Sequence, residues 1–326
     1  LDVFMDCPSR ERAGWLCDSY FSARVAYDLS GNTLIERNHL ENYLLPERFS
    51  NIPEGMLPMC YPSDHTNGNF IPNWAMWFVI QLEEYLNRSG DRSLVDQLKP
   101  KVEALLKYFR PFRNSDGLLE GLDKWVFVEW SRANDYVQDV NYPTNMLYAA
   151  MLDAASRLYG MNDLSEEASN VREVIRRQSF VNGFFSDHAL RVDGQLVVQP
   201  QHQTEVCQYY AFYFGTATRT SHPQLWERLV RDFGVTRNVA LTWPGVAPAN
   251  SFVGNYLRLE LLSSAGLAGQ AVRESRDQFL KMADRTGTLW ENTEPATSAC
   301  HGFAAHVAHM LLRDVAGLAS VDHIGK

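Results

Sequence analysis

Pairs of amphipathic helical segments recur along this chain, and that repeat limits the folds that the sequence can adopt. In "NWAMWFVIQLEEYLNRSGD", apolar side chains recur at helical spacing over 74–86, and Gly90 stands where such a helix would end. Asp91 can then cap a second helix, whose apolar stripe extends over 94–109. The sequence therefore predicts two consecutive helices joined by a tight turn.

The same unit of helix, short turn and helix returns at spacings of roughly 45 to 70 residues. Its further copies are "TNMLYAAMLDAASRLYG" with "SEEASNVREVIRRQ", "TEVCQYYAFYFG" with "HPQLWERLVRDF", and "VGNYLRLELLSSAG" with "LAGQAVRESRDQFLKMAD". The segment "ERAGWLCDSYFSARVAYDL" opens the series, and "GFAAHVAHMLLRDVAG" closes it. No strand-like alternation of comparable strength is present, and the short pieces "QLVVQ" and "KWVFVEW" predict local hairpins.

Repeated helix pairs form either an open solenoid or a closed ring. Four long segments rich in Pro, Gly, Asn and Trp favour the ring, because loops of this length inside a compact domain are usually functional. These segments are 46–72, 111–142, 179–203 and 234–251. We therefore predict an all-α closed α/α toroid over residues 1–326, as a single domain whose long loops build one face.

Bulk composition narrows the class of protein. The 326 residues are 45% hydrophobic, which suffices for one large core, and the net charge of −9 with scattered basic residues argues against nucleic-acid binding. No run of eighteen apolar residues is present, so we predict no membrane span. Because the chain starts without Met and almost on its densest motif, we expect it to be a piece of a longer polypeptide, and its compartment stays open.

That dense motif is "DCPSRERAGWLCD", which gathers acids, arginines and a tryptophan. We expect Glu11 at the start of the first helix and Asp18 two turns later on the same face, with Asp6 just outside. Such a cluster repels itself unless a cation or a proton occupies it. A simple charge network at a helix start, in which Arg10 pairs with the acids, remains an alternative, although Trp15 beside the cluster weakens it.

A second acidic loop, "TLWENTEPATSACHGF", precedes the last helix, which we expect to begin near Ser298 with His301 in its first turn. Glu291 and Glu294 lie next to Trp290, and a carboxylate in such a partly dry loop is a candidate general base. A capping acid for the following helix is the alternative.

The middle loop "KWVFVEWSRANDYVQD" alternates tryptophans with acids at Trp125, Glu129, Trp130 and Asp135. Sugar rings pack their apolar faces on flat aromatic side chains, and their hydroxyls donate to carboxylates, so this loop suits a sugar. A small core within the loop is the competing interpretation.

Other chemistries lack their motifs. The sequence has no GxSxG elbow, Gly-rich phosphate loop, HExxH or dinucleotide fingerprint. The five cysteines have no CxxC spacing, so neither a zinc site nor a disulfide framework is predicted. A cysteine nucleophile at Cys7 or Cys300 stays a minor alternative because neither has local features of a reactive thiol.

The first motif resembles the signature of the bacterial α-L-rhamnosidases of glycoside hydrolase family 78, Asp-Cys-Pro-x-Arg-Glu followed by an aromatic residue and an Asp. Later stretches agree in the same order: "NFIPNWAMWFVIQLEEYLNRSGD" with the second helical unit, "KWVFVEW" with the Trp-acid-Trp loop, and "TLWENTEP…ACHGF" with the terminal Trp-Glu motif and its His. The resemblance extends from about residue 4 to residue 316. It implies a six-hairpin α/α toroid and hydrolysis of terminal α-L-rhamnosyl groups with inversion.

Carried over residue by residue, the resemblance implies that Glu11 is the general acid and Glu291 the general base. It also implies a sugar subsite formed by Asp6, Asp18, Arg10, Trp15, Trp130 and His301. From the loop composition we add Trp125, Glu129 and Trp290 to the expected substrate-binding residues. In a closed ring the first and last units are neighbours, and crowding by Asp6 and Asp18 is expected to raise the pKa of Glu11.

The expected partner is a rhamnose-containing oligosaccharide, polysaccharide or glycoside, with no cofactor. Loop acids could hold a structural Ca²⁺, but no spacing demands one. Cys17 replaces a common Gly and Glu129 a common Asp of the family pattern, which leaves the sugar open, and the usual flanking β-sandwich domains lie outside this chain. The alternatives are another toroidal glycosidase or an inactive carbohydrate-binding homologue.

Overall fold

The predicted helical repeat is present throughout the described chain. A computed structural model describes residues 3–63, 67–237, 241–294 and 297–318. Its α-helices are α1 Asp18–Ser30, α2 Leu34–Glu41, α3 Pro72–Ser89, α4 Arg92–Phe109, α5 Tyr142–Tyr159, α6 Asn162–Ser179, α7 Glu205–Tyr213, α8 Pro223–Asp232, α9 Tyr256–Ser264, α10 Ala268–Thr286 and α11 His306–Met310. Short 3₁₀ turns occupy Asn42–Leu44, Arg110–Phe112, Arg132–Tyr136 and Gly302–Ala305, and π-helical turns occupy Ser251–Asn255 and Leu311–Val315.

Strands are few and short, as predicted. They are β1 Val140–Asn141, β2 Phe180–Val181, β3 Phe184–Phe185, β4 His188–Val192, β5 Gln195–Val198, β6 Gln203–Thr204 and β7 Val246–Ala247. They form the antiparallel sheet β1-β4-β5, the antiparallel pair β2-β3 and the parallel pair β6-β7. The predicted hairpin at "QLVVQ" is β4-β5, whereas "KWVFVEW" is not paired as a strand, so that prediction is wrong.

Every second helix belongs to an inner ring. Helix α1 packs on α3, and the contacts continue through α5, α7, α9 and α11 back to α1. The intervening helices lie outside, and they are amphipathic because only one face of each meets the ring: α8, for example, buries only Leu225 and Leu229. Inside the ring, the Trp77 indole packs on Tyr20 and Phe214 at centroid distances of 4.8 and 5.5 Å. This is the six-hairpin toroid that the sequence predicts.

The helix boundaries of the first complete unit follow the predicted signals. Gly90 ends α3 in the left-handed region (φ 68°), and its N–H donates to the Leu86 carbonyl at 2.8 Å. The Asp91 side chain accepts from the Leu94 N–H at 3.2 Å and so caps α4.

Two predicted helix starts are wrong. Helix α1 begins at Asp18, because residues 6–13 form a loop in which the Asp6 N–H donates to the Ala13 carbonyl and the Ala13 N–H to the Asp6 carboxyl, at 3.1 and 2.9 Å. A local aspartate acceptor competes with helix formation, and Arg12 has a left-handed φ of 52°. At the other end, helical structure begins at Gly302 rather than near Ser298.

Polar contacts close the ring between the first helix and the last ones. His309 on α11 lies 2.6 Å from the Asp28 carboxyl on α1, and the Gly302 N–H donates to the Asp6 carbonyl at 2.7 Å. Deeper in the ring, Glu260 on α9 contacts both Arg24 on α1 (3.2 Å) and His306 on α11 (2.8 Å). The prediction that the two ends of the repeat are neighbours is confirmed.

No helix in the described part of the chain is long and apolar enough to span a bilayer.

Replacing Glu260 with Gln is expected to destabilise the fold by about 1–3 kcal/mol, because it removes one of the two carboxylates that pair with the buried Arg24 and leaves only Glu84. Burial raises the pKa of Glu260, but the charge of Arg24 and the hydrogen bond from His306 outweigh burial and lower it. Stability from a lowered carboxyl pKa is lost as the pH falls, so the difference between variant and wild type should shrink in acid. Urea denaturation at pH 7 and pH 4 measures both effects.

The matched control is Glu103→Gln, which removes an exposed partner of Lys99 at 3.8 Å and should cost less than about 1 kcal/mol. Equal losses of stability in the two variants would contradict a special role for Glu260 in closing the ring.

Candidate active site

A cavity of about 350 Å³ opens on the face built by the long loops. Both ends of the repeat and two middle loops contribute to it, since the ring brings them to one place. Its lining consists of Asp6, Arg10, Glu11, Trp15, Asp18, Met59, Asn67, Asn69, Ile71, Trp74, Trp125, Phe127, Trp130, Phe252, Glu291 and His301. Nine of the residues predicted from the sequence therefore share one pocket of a size suited to a small ligand.

Arg10 lies between the two glutamates that the sequence singles out. Its Nε atom is 2.9 Å from Glu11 Oε2, and its Nη2 atom is 2.6 Å from Glu291 Oε2. Glu11 and Glu291 are 280 positions apart in the chain, yet one guanidinium contacts both carboxylates. The Arg10 side chain is about half exposed, whereas that of Glu291 is buried.

Glu291 is held by donors from three segments. The Trp130 indole N–H donates to Oε1 at 3.0 Å, the Ser298 N–H donates to Oε2 at 3.2 Å, and Arg10 approaches from the other chain end. The Glu291 N–H also donates to the Ser298 carbonyl at 2.9 Å. Because both backbone and carboxylate are fixed, the orientation of this carboxylate is set before any ligand binds.

Glu11 does not have the raised pKa that we predicted. Burial acts to raise the pKa of Glu11, but hydrogen bonds with Asp6, a backbone amide and Cys7, together with the charge of Arg10, lower it overall. The Cys7 thiol lies 3.3 Å from Glu11 Oε2. Burial raises the pKa of Asp6 instead, so the more readily held proton of this pair lies on Asp6.

The His301 ring lies between the two aspartates of the first motif. Its Nε2 atom is 3.8 Å from Asp6 Oδ2, and its Nδ1 atom is 3.6 Å from Asp18 Oδ1. Burial lowers the pKa of His301 to about 3, so its imidazole is neutral at pH 7. Burial, together with the charges of Asp6 and Glu291, raises the pKa of Asp18 well above its usual range.

The middle loop supplies an aromatic wall. Trp130 packs edge-on against Phe127 at 4.8 Å, and Trp125 lies 5.5 Å from Phe127 and 6.0 Å from Trp130. Trp130 is 36% exposed, which is unusual for its size and leaves part of the indole open to the cavity. The loop is thus both a small core, through Phe127 on Trp74 at 4.9 Å, and a lining of the pocket.

Two predicted substrate-binding residues lie elsewhere. Glu129 is fully buried behind the wall, because neighbouring side chains of an extended segment point to opposite sides and Trp130 takes the cavity side. Trp290 points away from Glu291, donates its indole N–H to the Thr286 hydroxyl at 2.7 Å, and lines a separate cavity. Their assignment to the substrate pocket is corrected on these grounds.

The alternative bases also lie outside this cavity. Glu294 is exposed, and the Asp135 side chain is 65% exposed next to Arg132.

Sequence reasoning missed part of the lining. Met59, Asn67, Asn69 and Ile71 come from the long segment 46–72, whose length indicated function but whose composition singled out no residue. Phe252 comes from the π-helical turn before α9, where the sequence signal is that of an ordinary core residue.

One group in the described residues offers converging metal ligands. Single ligand atoms of Asp6, Cys7 and Glu11 lie within 4.8 Å of one another. A thiol with two carboxylates does not suit Ca²⁺, which takes oxygen ligands only.

Comparisons with known proteins place these residues in a family context. Residues 1–315 match the family described as the bacterial alpha-L-rhamnosidase 6 hairpin glycosidase domain. An alpha-L-rhamnosidase of Formosa agariphila is 25% identical over 135 residues, which are 39% of this chain and 14% of that protein.

Solved structures show the same fold. The GH78 rhamnosidase of Bacillus sp. GL1 superposes with a TM-score of 0.79 at 19% identity, over 96% of this chain and 33% of that one. The rhamnosidase of Klebsiella oxytoca with rhamnose bound gives 0.73 at 17% identity, over 96% and 60%. The chain thus spans 14% of the curated relative and between a third and two thirds of these two structures.

Asp18→Asn is expected to stabilise the fold increasingly as the pH rises from about 4 to 8. An acid whose pKa is raised by folding costs stability once the unfolded chain releases its proton, and the amide removes that cost. Guanidinium denaturation at pH 5 and pH 8 measures the effect, with Asp96→Asn, an exposed partner of Arg92, as the control. A variant that is less stable than wild type at both pH values would show that the Asp18 carboxyl is satisfied in the fold.

Proposed function

Since the chain belongs to the bacterial α-L-rhamnosidase six-hairpin glycosidase family, we propose that it is a catalytic domain that hydrolyses terminal α-L-rhamnosides with inversion. Glu11 serves as general acid and Glu291 as general base. The observation that carries this proposal is the Arg10 bridge, which brings these two carboxylates to one pocket from opposite ends of the repeat.

Inversion is the stereochemical course that the family resemblance implies, and carboxyl separation is the structural feature that distinguishes it from retention. Inverting glycosidases keep their carboxyls about 6.5–9.5 Å apart to admit a water, whereas retaining ones keep them about 5–5.5 Å apart. Arg10 contacts Glu11 through Nε and Glu291 through Nη2, so the two carboxyl groups lie close enough to act on one glycosidic bond.

The acid step needs a proton on Glu11. In the empty pocket Arg10 lowers the pKa of Glu11, and Asp6 holds the proton more readily. We expect the bound sugar to displace the half-exposed Arg10 side chain from Glu11, which removes that charge and lets the carboxyl pair place its proton toward the leaving oxygen.

The base step uses the fixed orientation of Glu291. Its carboxylate removes a proton from water on the face of the sugar opposite to the leaving group, and the Trp130 indole N–H keeps it aimed. The remaining acids, Asp6 and Asp18, accept hydrogen bonds from sugar hydroxyls through their carboxyl oxygens. The open part of the Trp130 ring packs against the apolar face of the sugar.

Hydrolysis of a panel of aryl glycosides identifies the sugar. Release from the α-L-rhamnoside supports the proposal, and proton NMR of the first-formed sugar reports inversion. Release from a different sugar alone would favour another toroidal glycosidase. Rhamnose binding without any turnover would favour an inactive carbohydrate-binding homologue.

Glu11→Gln is expected to lower kcat on rhamnosides with poor leaving groups by about 100- to 10,000-fold, since general acid catalysis contributes that much. An activated leaving group needs little protonation, so its rhamnoside should lose far less. Kinetics on both substrates, with circular dichroism to verify the fold, make the comparison. If the variant stayed within a few fold of wild type on the poor leaving group, the general acid would be a residue other than Glu11.

Glu291→Ala is expected to lose activity on both substrates by a similar factor of about 100 or more, and azide should partly restore it by replacing the activated water. The matched control is Glu294→Gln, an exposed glutamate of the same loop that should keep wild-type kinetics. If the Glu291 variant kept full activity and the Glu294 variant lost it, Glu294 rather than Glu291 would be the general base.

A further inference from the structure

The buried Glu129 carboxyl contacts the backbone of another loop at close range. Its Oε1 atom accepts the Gly254 N–H at 2.7 Å, and the side chain has no solvent exposure. A Cβ atom added at Gly254 would lie 2.2 Å from Oε1, so glycine is the residue that allows this approach. The contact joins the middle loop to the turn that precedes α9.

The Asn250 side chain links the same turn to the two segments that contain Trp130 and Glu291, the proposed base. Its Nδ2 atom donates to the Trp130 carbonyl at 2.6 Å, and its Oδ1 atom accepts from the Thr293 N–H at 2.9 Å. The Trp130 N–H also donates to the Phe252 carbonyl at 3.4 Å. The backbones of Trp130 and of the Glu291 turn are therefore held by one segment, 250–254.

We propose that Glu129 is a positioning residue for the general base: by fixing Gly254 it holds segment 250–254, which places the Trp130 indole N–H on Glu291. This inference rests on the proposed role of Glu291 as base. The chain of contacts runs from Glu129 Oε1 to Gly254, through Asn250 to the Trp130 backbone, and from the indole to Glu291 Oε1 at 3.0 Å. Glu129 itself does not line the cavity.

Because Glu129 can ionise, we expect its hold on segment 250–254 to depend on pH. Burial raises the pKa of Glu129 to about 8, so the carboxyl is neutral at pH 7. Glu129 interacts electrostatically with two titratable groups. They are Glu205, which is ion-paired with the buried Arg237, and Tyr210. Ionisation above pH 8 would place a second negative charge near Glu205 in a dry site, and we expect segment 250–254 to loosen in response.

The central experiment compares Glu129→Gln, which keeps an oxygen acceptor for the Gly254 N–H, with Glu129→Met, which keeps the length but has none. We expect the Met variant to lose about 100-fold in kcat with a smaller change in KM, since misplacing a catalytic group by about 1 Å costs this much. The loss should be similar for good and poor leaving groups, because the base step is affected. The Gln variant should stay within a few fold of wild type.

The pH readout is the ratio of Glu129→Gln to wild-type kcat, in which ionisations common to both proteins cancel. That ratio should rise as the pH passes 8, because only wild type ionises at this position. The control is Asp187→Asn, another fully buried carboxyl with a pKa raised by burial to about 8, which accepts from Thr204 outside the cavity. The kcat of Asp187→Asn should stay within a few fold of wild type on both substrates.

Asn250→Ala provides a second variant in case Glu129→Met fails to fold, since the Asn250 side chain is partly exposed. It should show the same loss of kcat on good and poor leaving groups. If the wild-type protein cleaves rhamnosides but both Glu129→Met and Asn250→Ala keep wild-type kinetics, the positioning role of Glu129 is wrong and the proposed function is unaffected. A wild-type protein that cleaves no glycoside of the panel would instead overturn the proposed function, and a loss shared by Asp187→Asn would reduce Glu129 to a general stabiliser of the fold.

Discussion

Closure of the helical ring is the constraint on which the rest of the molecule depends. The toroid becomes a ring only when α1 meets α9 and α11, and charged or polar side chains make that contact: Asp28 with His309, and Arg24 with Glu260. Burying an ion pair costs desolvation free energy, and this cost is offset only if the two charges lie close together. In return the contact specifies one arrangement, because an unpaired partner would be left buried. The two proposed catalytic glutamates occupy one pocket only as a consequence of this closure.

The pocket concentrates like charge that the fold must tolerate. Burial raises the pKa of Asp6 and of Asp18, whereas Arg10 lowers that of Glu11. The Arg10 cation thus balances part of the charge, and neutral carboxyls balance another part. Such a cluster of like charges lowers stability, and on the proposed function it does so because the same groups would bind the sugar.

Periodicity predicted most of the architecture, because the inner and outer helices obey the same 3.6-residue rule and end at glycines such as Gly90. It failed at Glu11, where the Asp6 carboxyl accepts a hydrogen bond from the Ala13 N–H and a loop replaces the helix that spacing alone predicts. The pocket residues of the first motif could be predicted because they form one short segment. Phe252 and Asn69 could not, since their place depends on how distant loops meet. Glu129 was assigned to the substrate pocket, although it faces the protein interior. An extended segment has two faces, and the sequence alone does not show which face lines the cavity.

The Arg10–Glu291 contact also determines when the pocket can exist during biosynthesis. Contacts between residues so remote along the chain form late, since the entropy of closing a long loop must be offset first. A nascent chain emerging from the ribosome therefore carries its acid-bearing segment long before the opposing half of the cleft has been translated. The cavity is therefore complete only after the last of its lining segments has been synthesised.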